Sequence, residues 1–472
     1  MFRDSVFSLI TTVVRLATGL VLFVALAHIW GPERFGVFMY PFTIAGIVVK
    51  LVDYGFLLQV ARDVGKAPAQ AHATMSRAFG AKLFLVVPAV AATCAVVLYL
   101  PEGKHYGVLL ALLLCDAVAN SFGQFLNIPL RAFNRFDREA RIATFSNVLV
   151  FVSAVGAAVA GFGPIVVAAA MATSRAFGLV PSWLAYRRLL GAAPRPSLEV
   201  GSMKESLWKG LPFGVHATVG TLNTQVDTLM VQHYLGAGSV GLYQAGMRIL
   251  LGALLVGDAL NGVYLSSMAR VSHDRAALSR LGERMTRQLL TIGLLAFACT
   301  LALGPWGVRL LFGERYDALA PILPLFGLLM FIRYGGVSYG TLLTLADRQA
   351  VRVLAVCGVV VVGVALNAIL IPRFGLMGAI SSSILGHLVL YSVYVWAARR
   401  DLGDLLVDRR SAILLSLAAV VVVMVPFFTT IGASARVAVG ACLALASVAA
   451  GLTRSEWERI PRPLRRTPLL AP

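Results

Sequence analysis

Charged residues are scarce in this sequence, and acidic residues are the scarcest of them. Asp, Glu, Lys and Arg together make up 13% of the chain, whereas hydrophobic residues make up 58% and the mean hydropathy is +0.82. Soluble domains contain about 25% charged and about 45–50% apolar residues. This composition excludes a soluble protein and predicts an integral membrane protein.

Motifs for metal and cofactor chemistry are also missing. No glycine-rich nucleotide loop, zinc-protease motif or nucleophile elbow occurs in a suitable context. No polar segment is long enough to fold as an enzyme domain. Each of the five cysteines stands in an apolar stretch without metal-ligand spacing; they are Cys94, Cys115, Cys299, Cys357 and Cys442. We therefore expect no cofactor, no metal site and no catalytic residue.

Long apolar runs dominate what is present. A helix needs about 20 apolar residues to cross a hydrocarbon core of about 30 Å, and the sequence contains fourteen such runs. The predicted spans cover residues 5–29, 37–60, 79–100, 106–128, 142–162, 164–186, 212–234, 239–268, 287–311, 319–346, 351–371, 375–397, 411–430 and 433–452. We predict an all-α integral membrane protein with about 14 transmembrane helices.

The basic residues are distributed to one side of these spans. The net charge is +19, and most of the 41 Lys and Arg residues fall in alternate loops and in the C-terminal tail. The positive-inside rule places these loops, and both termini, in the cytoplasm. Because such clusters contact the anionic headgroups of membrane lipids, we expect lipid contacts and no nucleic-acid partner. The basic loops cover residues 61–82, 129–141, 187–211 and 269–287.

An internal repeat organises the chain. The segment that begins at Gly31 aligns without a gap on the segment that begins at Gly236, and this alignment pairs Asp53 with Asp258. Duplicated helical halves are the usual architecture of transporters that alternate access about a central site. The predicted organisation is an N-terminal six-helix half at 1–190, a cytoplasmic linker at 191–211, a C-terminal six-helix half at 212–398, two additional helices at 411–452 and a basic cytoplasmic tail at 453–472.

Three stretches carry a resemblance to a known family. They are "GPERFGVFMY" followed by "DYGF", then "VDTLMVQHYLGAGSVGLYQAGMRIL", then "NAILIPRFGLMGAISSSI". In this order they resemble the patterns of bacterial polysaccharide and O-antigen flippases, which belong to the multidrug/oligosaccharidyl-lipid/polysaccharide exporter superfamily. The resemblance covers about residues 1–400.

This resemblance implies a function and a location. It implies a flippase that moves undecaprenyl-pyrophosphate-linked oligosaccharide from the inner to the outer leaflet of the bacterial cytoplasmic (inner) membrane. The product would serve the biosynthesis of a surface polysaccharide such as O-antigen, capsule or exopolysaccharide. Polysaccharide polymerases and glycosyltransferases are the implied neighbours, and a proton, sodium or the membrane potential remains open as the driving force.

Charges inside the spans carry the predicted mechanism. Because a charge at a helix centre costs about 2.5–3.5 kcal/mol, such residues should face a cavity or one another. A guanidinium binds phosphate oxygens with two parallel hydrogen bonds, so cations in a lumen suit a lipid pyrophosphate, and amide side chains suit a sugar. The predicted substrate-binding residues are Arg15, Lys50, Arg175, Arg248, Arg333, Asn120, Gln124 and Asn223.

Four acids within the spans are assigned to coupling or switching, namely Asp53, Asp116, Asp227 and Asp258. Lys50 and Asp53 lie three residues apart on one helical face. This spacing allows either a local ion pair or a pair that lines a water-filled lumen. Leu255 stands where the repeat would place a lysine beside Asp258, so local pairing is not the whole reason for the acid.

Span four carries a stripe of polar residues. Asp116, Asn120, Gln124 and Asn127 recur on one helical face. Such a stripe either hydrogen-bonds neighbouring helices or lines the path of a sugar chain.

Three other functions stay open from the sequence. Fourteen spans are also similar to lipid II flippases, whose two extra helices form a groove for the lipid tail. A cation-coupled multidrug extrusion transporter would bind cationic drugs through carboxylates, but cations outnumber acids in the spans. A membrane polysaccharide polymerase or glycosyltransferase would need a sizeable outside loop with acids or a metal, and the outside loops here are short. We therefore predict a transporter and not an enzyme.

Overall fold

The computed structural model describes most of the chain. Its backbone is described for residues 2–99, 103–271, 273–402, 408–428 and 433–451. Side chains are described for the same residues except 2–17, 96–98, 103–105, 212, 216, 401–402, 422–428 and 433. The predicted tail at 453–472 and the side chain of Arg15 therefore lie outside the described residues.

The described residues form helices joined by short turns, without a β-strand among them. The chain divides into two compact units, and the second begins at Leu242. The first unit contains α1 (Phe2–Asp53), α2 (Phe56–Lys66), α3 (Ala71–Tyr99), α4 (Gly103–Leu126), α5 (Ile128–Ala132), α6 (Phe136–Val159), α7 (Pro164–Leu190) and α8 (Val200–Leu235). The remaining helices are α9 (Ala237–Arg270), α10 (Arg275–Phe312), α11 (Leu323–Leu345), α12 (Gln349–Leu402), α13 (Arg409–Phe428) and α14 (Ala433–Gly451).

This architecture confirms the predicted all-α membrane fold. Within the described residues, ten helices are long and apolar enough to cross a membrane. Two of them, α1 and α12, each contain two predicted spans separated by a kink at Gly31 and at Gly375. Every one of the fourteen predicted spans overlaps a helical segment, so the predicted number is consistent with the structure.

Two kinks have the same backbone geometry and occupy equivalent positions in the repeat. Gly31 has φ 75° and ψ 174°, and Gly236 between α8 and α9 has φ 80° and ψ −178°. Only glycine adopts this conformation readily. Pro32 follows the first kink, where its fixed φ and missing N–H suit the first turn of a helix. The sequence alignment of the two segments therefore corresponds to a shared local structure.

The second predicted span ends earlier than the sequence indicated. Tyr54 and Gly55 both have positive φ, and they separate α1 from the short helix α2. The span predicted at 37–60 therefore stops at Asp53, and the residues after it belong to an amphipathic helix. That helix buries Phe56, Gln59, Val60 and Val64 on one face, the spacing expected of a helix with one apolar side.

The buried face of α2 belongs to a compact apolar core at one end of the first unit. Phe56, Val60 and Val64 are at most 1% exposed, and they share this core with Met75 of α3 and Tyr186 of α7. Side chains of α4 and α5 complete it, namely Phe125, Leu126 and Ile128. This core packs the start of α3 and the end of α4 next to the break after α1. The charged cluster described below lies near this break.

The linker predicted at 191–211 is shorter than expected. The helix α8 begins at Val200, so only the first part of that segment is irregular. The irregular part is attached to α3, because the N–H of Ser197 donates to the carbonyl of Ser76 at 2.9 Å. His72 Nε2 also donates to the carbonyl of Ala193 at 3.2 Å. These two hydrogen bonds tie the irregular part of the linker to α3.

In the second unit, one arginine attaches the last two helices to α10. Arg287 Nη1 donates to Asp408 Oδ2 at 2.6 Å, and Arg287 Nε donates to the carbonyl of Gly451 at 3.1 Å. Arg287 thus contacts the start of α13 and the end of α14. Asp408 also caps α13 by accepting from the N–H of Ser411 at 2.8 Å.

Several contributions determine the pKa of Asp408. Burial raises the pKa, but the hydrogen bonds from Ser411 and from Arg287 outweigh that effect. The pKa of Asp408 therefore lies below its ordinary value of 3.8. The carboxylate stays charged at neutral pH and holds the Arg287 guanidinium.

Candidate functional site

The acid singled out from the sequence lies in a charged cluster at the end of α1. Asp53 Oδ1 accepts from Lys82 Nζ at 2.7 Å, and Lys82 also donates to Ser121 Oγ at 2.5 Å. The Ser121 hydroxyl donates to the same carboxylate oxygen. Lys50 Nζ lies 3.5 Å from the other oxygen of Asp53. Three helices, α1, α3 and α4, thus each contribute to the cluster.

Lys82 is the buried member of this cluster. Its side chain is 2% exposed, whereas that of Lys50 is 47% exposed. The ammonium lies 5.3 Å from the ring centre of Phe122 and 5.8 Å from that of Phe125, and both rings attract a cation through their faces. A buried ammonium is costly without a partner, so Asp53 and Lys82 depend on each other.

This geometry adds a partner of Asp53 that the sequence interpretation did not name. The predicted local pair with Lys50 exists, but the shorter and more buried contact is with Lys82. The sequence analysis placed Lys82 in the basic loop 61–82. The helix α3 begins at Ala71, so Lys82 lies three turns inside it. Its position inside the apolar run 79–100 was the signal that could have identified it.

The polar stripe of span four faces a second cluster. Arg175 of α7 contacts Asp116 Oδ1 at 3.4 Å and donates to Asn147 Oδ1 at 3.0 Å. It also donates to Ser146 Oγ at 3.4 Å. The side chains of Arg175 and Asp116 are 13% and 7% exposed. The structure thus brings together two predicted site residues and adds two α6 residues that the sequence analysis missed.

A small polar cavity opens between α4, α6 and α7. It has a volume of about 40 Å³, which is room for about two or three water molecules. The amides predicted for substrate binding, Asn120 and Gln124, line it together with Arg175. Asn127, the last member of the stripe, is 6% exposed, and its Oδ1 has no hydrogen-bond partner among the described residues.

A second ion pair borders this cavity. Arg131 Nε donates to Glu139 Oε1 at 2.6 Å, and the Glu139 side chain is 8% exposed. Both residues line the cavity, and neither was selected from the sequence. They were assigned to the basic loop 129–141, where a pair cannot be recognised without the fold. Each arginine of the cavity therefore faces an acid.

In the second unit, Arg333 and Asp258 occur in one cluster. Arg333 on α11 interacts electrostatically with Asp258 on α9 and with His387 on α12. It also donates a hydrogen bond to Tyr391. Next to it, the hydroxyl of Tyr334 donates to the carbonyl of Ala253 on α9. Asp258 thus has a cation from another helix nearby, as Asp53 has.

The remaining predicted residues with described side chains lie on α8 and α9. Arg248 on α9 donates to Gln244 one turn earlier at 3.4 Å. Asn223 is half-buried on α8, and Asp227 on the same helix is buried. The structure describes the backbone of Arg15 within α1 but not its side chain. No group of three or more His, Cys, Asp or Glu that could hold a metal occurs among the described residues.

Comparison with known proteins gives the family. Residues 25–321 match the family described as polysaccharide biosynthesis protein. The chain belongs to this family. The match confirms the resemblance found in the sequence, because it covers more than half of the chain.

Two curated relatives of this polysaccharide biosynthesis protein support the assignment. It is 23% identical over 212 residues to the capsular polysaccharide biosynthesis protein CapF of Staphylococcus aureus, a match over 43% of this chain and 51% of CapF. It is 27% identical over 150 residues to the amylovoran biosynthesis protein AmsL of Erwinia amylovora, over 30% of this chain and 38% of AmsL. The matches thus span about half or less of these relatives.

Solved structures show the fold. The family member described here is similar to the lipid II flippase MurJ in its inward closed conformation, with a TM-score of 0.68 and 16% identity over 94% of this chain and 97% of MurJ. It is also similar to an inward-facing MATE multidrug transporter of the MOP superfamily, with a TM-score of 0.67 and 16% identity over 85% and 98% of the two chains. The chain is therefore a multi-pass membrane protein with the fold of these transporters.

Proposed function

We propose that this protein flips undecaprenyl-pyrophosphate-linked oligosaccharide from the inner to the outer leaflet of the bacterial cytoplasmic membrane. It does so by alternating access, with both termini in the cytoplasm, during surface polysaccharide biosynthesis. Membership in the polysaccharide biosynthesis family supports the substrate class, and the transporter fold supports the movement. Polymerases and glycosyltransferases of the same glycan are its proposed neighbours.

The observation that carries this proposal is the arginine-bearing polar cavity within membrane helices. Asn120, Gln124 and Arg175 present amide and guanidinium groups to this cavity within membrane helices, where polar and charged groups are costly. Sugar hydroxyls and phosphate oxygens need such donors when they lose water. The cavity is small, at about 40 Å³, and a glycan enters in another state of the transport cycle.

The role of Arg175 follows from its partners. Asp116, Ser146 and Asn147 hold the guanidinium in one orientation, which prepares its planar fork for a phosphate. When an anion arrives, the contact with Asp116 at 3.4 Å is the one it replaces. Arg333 has the same relation to Asp258 in the second unit. We also assign Lys50, Arg15, Arg248 and Asn223 to substrate binding.

The acids are the proposed switching groups. Asp53, Asp116, Asp227 and Asp258 exchange partners between inward and outward states, since a carrier needs groups whose interactions differ between its conformations. Asp53 has two competing cations, Lys50 and Lys82, at 3.5 and 2.7 Å. A proton or sodium ion is the proposed coupling ion.

The decisive experiment follows lipid-linked intermediates in cells. A deletion strain should accumulate them in the inner leaflet, and the wild-type gene should restore export of surface glycan. Arg175→Ala should fail to restore export, and Arg175→Lys should restore it in part because one hydrogen bond of the fork is lost. The matched control is Arg141→Ala on α6, where the arginine side chain is 81% exposed. A deletion strain with normally distributed intermediates and normal surface glycan would refute the proposal.

A multidrug extrusion pump is the second candidate. It is favoured by the MATE fold and by the buried acids Asp116 and Asp227, which would bind cationic drugs. In that case the deletion strain should become sensitive to cationic drugs while its surface glycan stays normal. A lipid II flippase, which the MurJ fold favours, would instead be required for cell-wall synthesis.

A further inference from the structure

Two repeat-equivalent helix starts contact each other within the first compact unit. They are residues 32–36, after the kink at Gly31, and residues 237–241, after the kink at Gly236. A Cβ atom added to Gly36 would overlap the carbonyl of Ala237, and one added to Gly241 would overlap the carbonyl of Pro32. We refer to these two segments as the glycine contact.

The glycine contact has local two-fold symmetry. The alignment of the repeat pairs Pro32 with Ala237 and Gly36 with Gly241. The contact from Gly36 to Ala237 is therefore the image of the contact from Gly241 to Pro32, as in the interface of a symmetric dimer. Small residues four apart let two helices approach until their backbones touch.

The axis of this symmetry passes near Glu33. The alignment pairs Glu33 with Gly238, and the Glu33 carboxylate lies 2.5 Å from the place where a Cβ of Gly238 would stand. Gly36 and Gly241 are buried, whereas Glu33 and Arg34 are exposed. The contact is thus dry at its centre and open to water at its rim.

We propose that the glycine contact is the gate that closes the transport path at the end of the bundle which the proposed topology places outside. The two helix starts separate in the outward-open state and rejoin in the state described here. This inference rests on the proposed alternating-access function. It adds to that function the two segments that close the transport path at one end and the two glycine kinks about which these segments move.

Three features of the contact suit a gate. Apart from the Glu33 carboxylate, the groups that meet in it are backbone atoms and small residues, and among the described residues no ion pair between the two segments has to break when it opens. Gly31 and Gly236 have the same unusual backbone conformation immediately before the moving segments, and such positions absorb the dihedral change of a hinge. Because the contact is symmetric, both repeats lose and regain the same interactions in each cycle.

A reversible cross-link tests whether the contact has to open. In a background where the five native cysteines are replaced by alanine, Glu33→Cys and Gly238→Cys are combined. Oxidation, or dibromobimane, should join the two cysteines, and loss of reaction with a maleimide polymer measures the joined fraction. Joining should lower glycan export about tenfold, and reduction of the disulfide should restore it. The two single-cysteine variants, treated in the same way, are the controls.

Two results of this experiment would overturn the proposal. Full cross-linking with wild-type export would show that the contact is permanent. Failure of the pair to cross-link under oxidation and with dibromobimane would show that the contact does not form in the membrane. If wild-type export itself is absent in the complemented strain, the proposed function fails, but the cross-linking result still reports on the contact.

Small substitutions give an independent test. Gly36→Ala and Gly241→Ala each place a Cβ against the other segment's backbone, which cannot move aside cheaply, so the closed state is disfavoured. Each should lower both export and cross-linking of the cysteine pair about tenfold. Gly46→Ala on the same helix α1 meets nothing within 4 Å and is the matched control. Unchanged cross-linking and export in both alanine variants would contradict the gate.

Discussion

Removal of Lys82 should expose how strongly the charged cluster at the end of α1 is coupled. Lys82→Met keeps the length of the side chain but removes the ammonium that lies 2.7 Å from Asp53. Breaking a buried ion pair by removing one partner costs about 3–5 kcal/mol. Asp53 keeps Lys50 at 3.5 Å and is 24% exposed, so we expect a loss near the lower limit, about 3 kcal/mol.

The reciprocal variant should cost more. Asp53→Asn leaves the ammonium of Lys82, which is 2% exposed, with Ser121 and two aromatic rings as partners. We expect a loss near the upper limit, about 5 kcal/mol. The double variant Lys82→Met/Asp53→Asn leaves no unpaired charge of this pair, so its loss should be smaller than that of Asp53→Asn alone. Lys50→Met, at a half-exposed residue, should cost less than about 1 kcal/mol.

Equilibrium unfolding in detergent, followed by tryptophan fluorescence, measures the free energy of unfolding of these variants. The two single variants of Lys82 and Asp53 and their double variant form a double-mutant cycle, and Lys50→Met is the control. The coupling energy is the deviation of the double variant from the sum of the single variants. If the losses add to within about 0.5 kcal/mol, Lys82 and Asp53 do not interact and the description of this cluster is wrong. Glycan export by the same variants, at matched protein levels, then distinguishes two roles of Asp53. If export fails in both Asp53→Asn and the double variant, it needs the acid itself; if only Asp53→Asn fails, it needs only the neutralisation of Lys82.

Two further predictions concern other parts of the chain. Asp408→Asn should destabilise the protein at neutral pH, because the pKa of Asp408 is lowered in the folded state. A carboxyl group with a lowered pKa stabilises the folded state at pH values above its unfolded pKa of about 4. This stabilisation disappears as the pH falls through the folded pKa. Unfolding curves of wild type and Asp408→Asn should therefore converge in acid, and a difference that persists there would contradict the role of the charge. Cysteines at the exposed positions Ala73 and Arg280 should react with an impermeant thiol reagent only from the cytoplasmic side; reaction of either in intact cells would refute the proposed topology.

The sequence predicted the features that depend on local periodicity. Apolar runs located the helices, because length and hydropathy decide whether a helix crosses a membrane. The stripe from Asp116 to Asn127 was visible because polar residues recurred at helical spacing, and three of its members line one cavity. The repeat could be aligned because Gly31, Gly36 and Asp53 have matching residues in the second segment, and the two kink glycines have the same conformation.

The sequence did not reveal partners that only the fold brings together. Lys82 and Asp53 are 29 residues apart, and no spacing rule connects an acid at the end of one helix with a lysine inside another. Arg175 on α7 likewise contacts Asn147 on α6 and Asp116 on α4, and no spacing rule connects these residues in the sequence. The break at Tyr54 was also hidden, because an apolar run continues through it and hydropathy is insensitive to a change of two dihedral angles.

The contacts of Arg287 have a consequence for the synthesis of the chain. Its two partners are 121 and 164 residues further along, and a ribosome adds about 5–20 residues per second. After α10 emerges, the Arg287 guanidinium waits roughly six to thirty-three seconds for the last two helices. During that time Arg287 lacks the two contacts that attach α13 and α14 to α10. A chain that loses its final two helices lacks both contacts permanently, so the Arg287 side chain is held less firmly in such a truncated copy than in the finished protein.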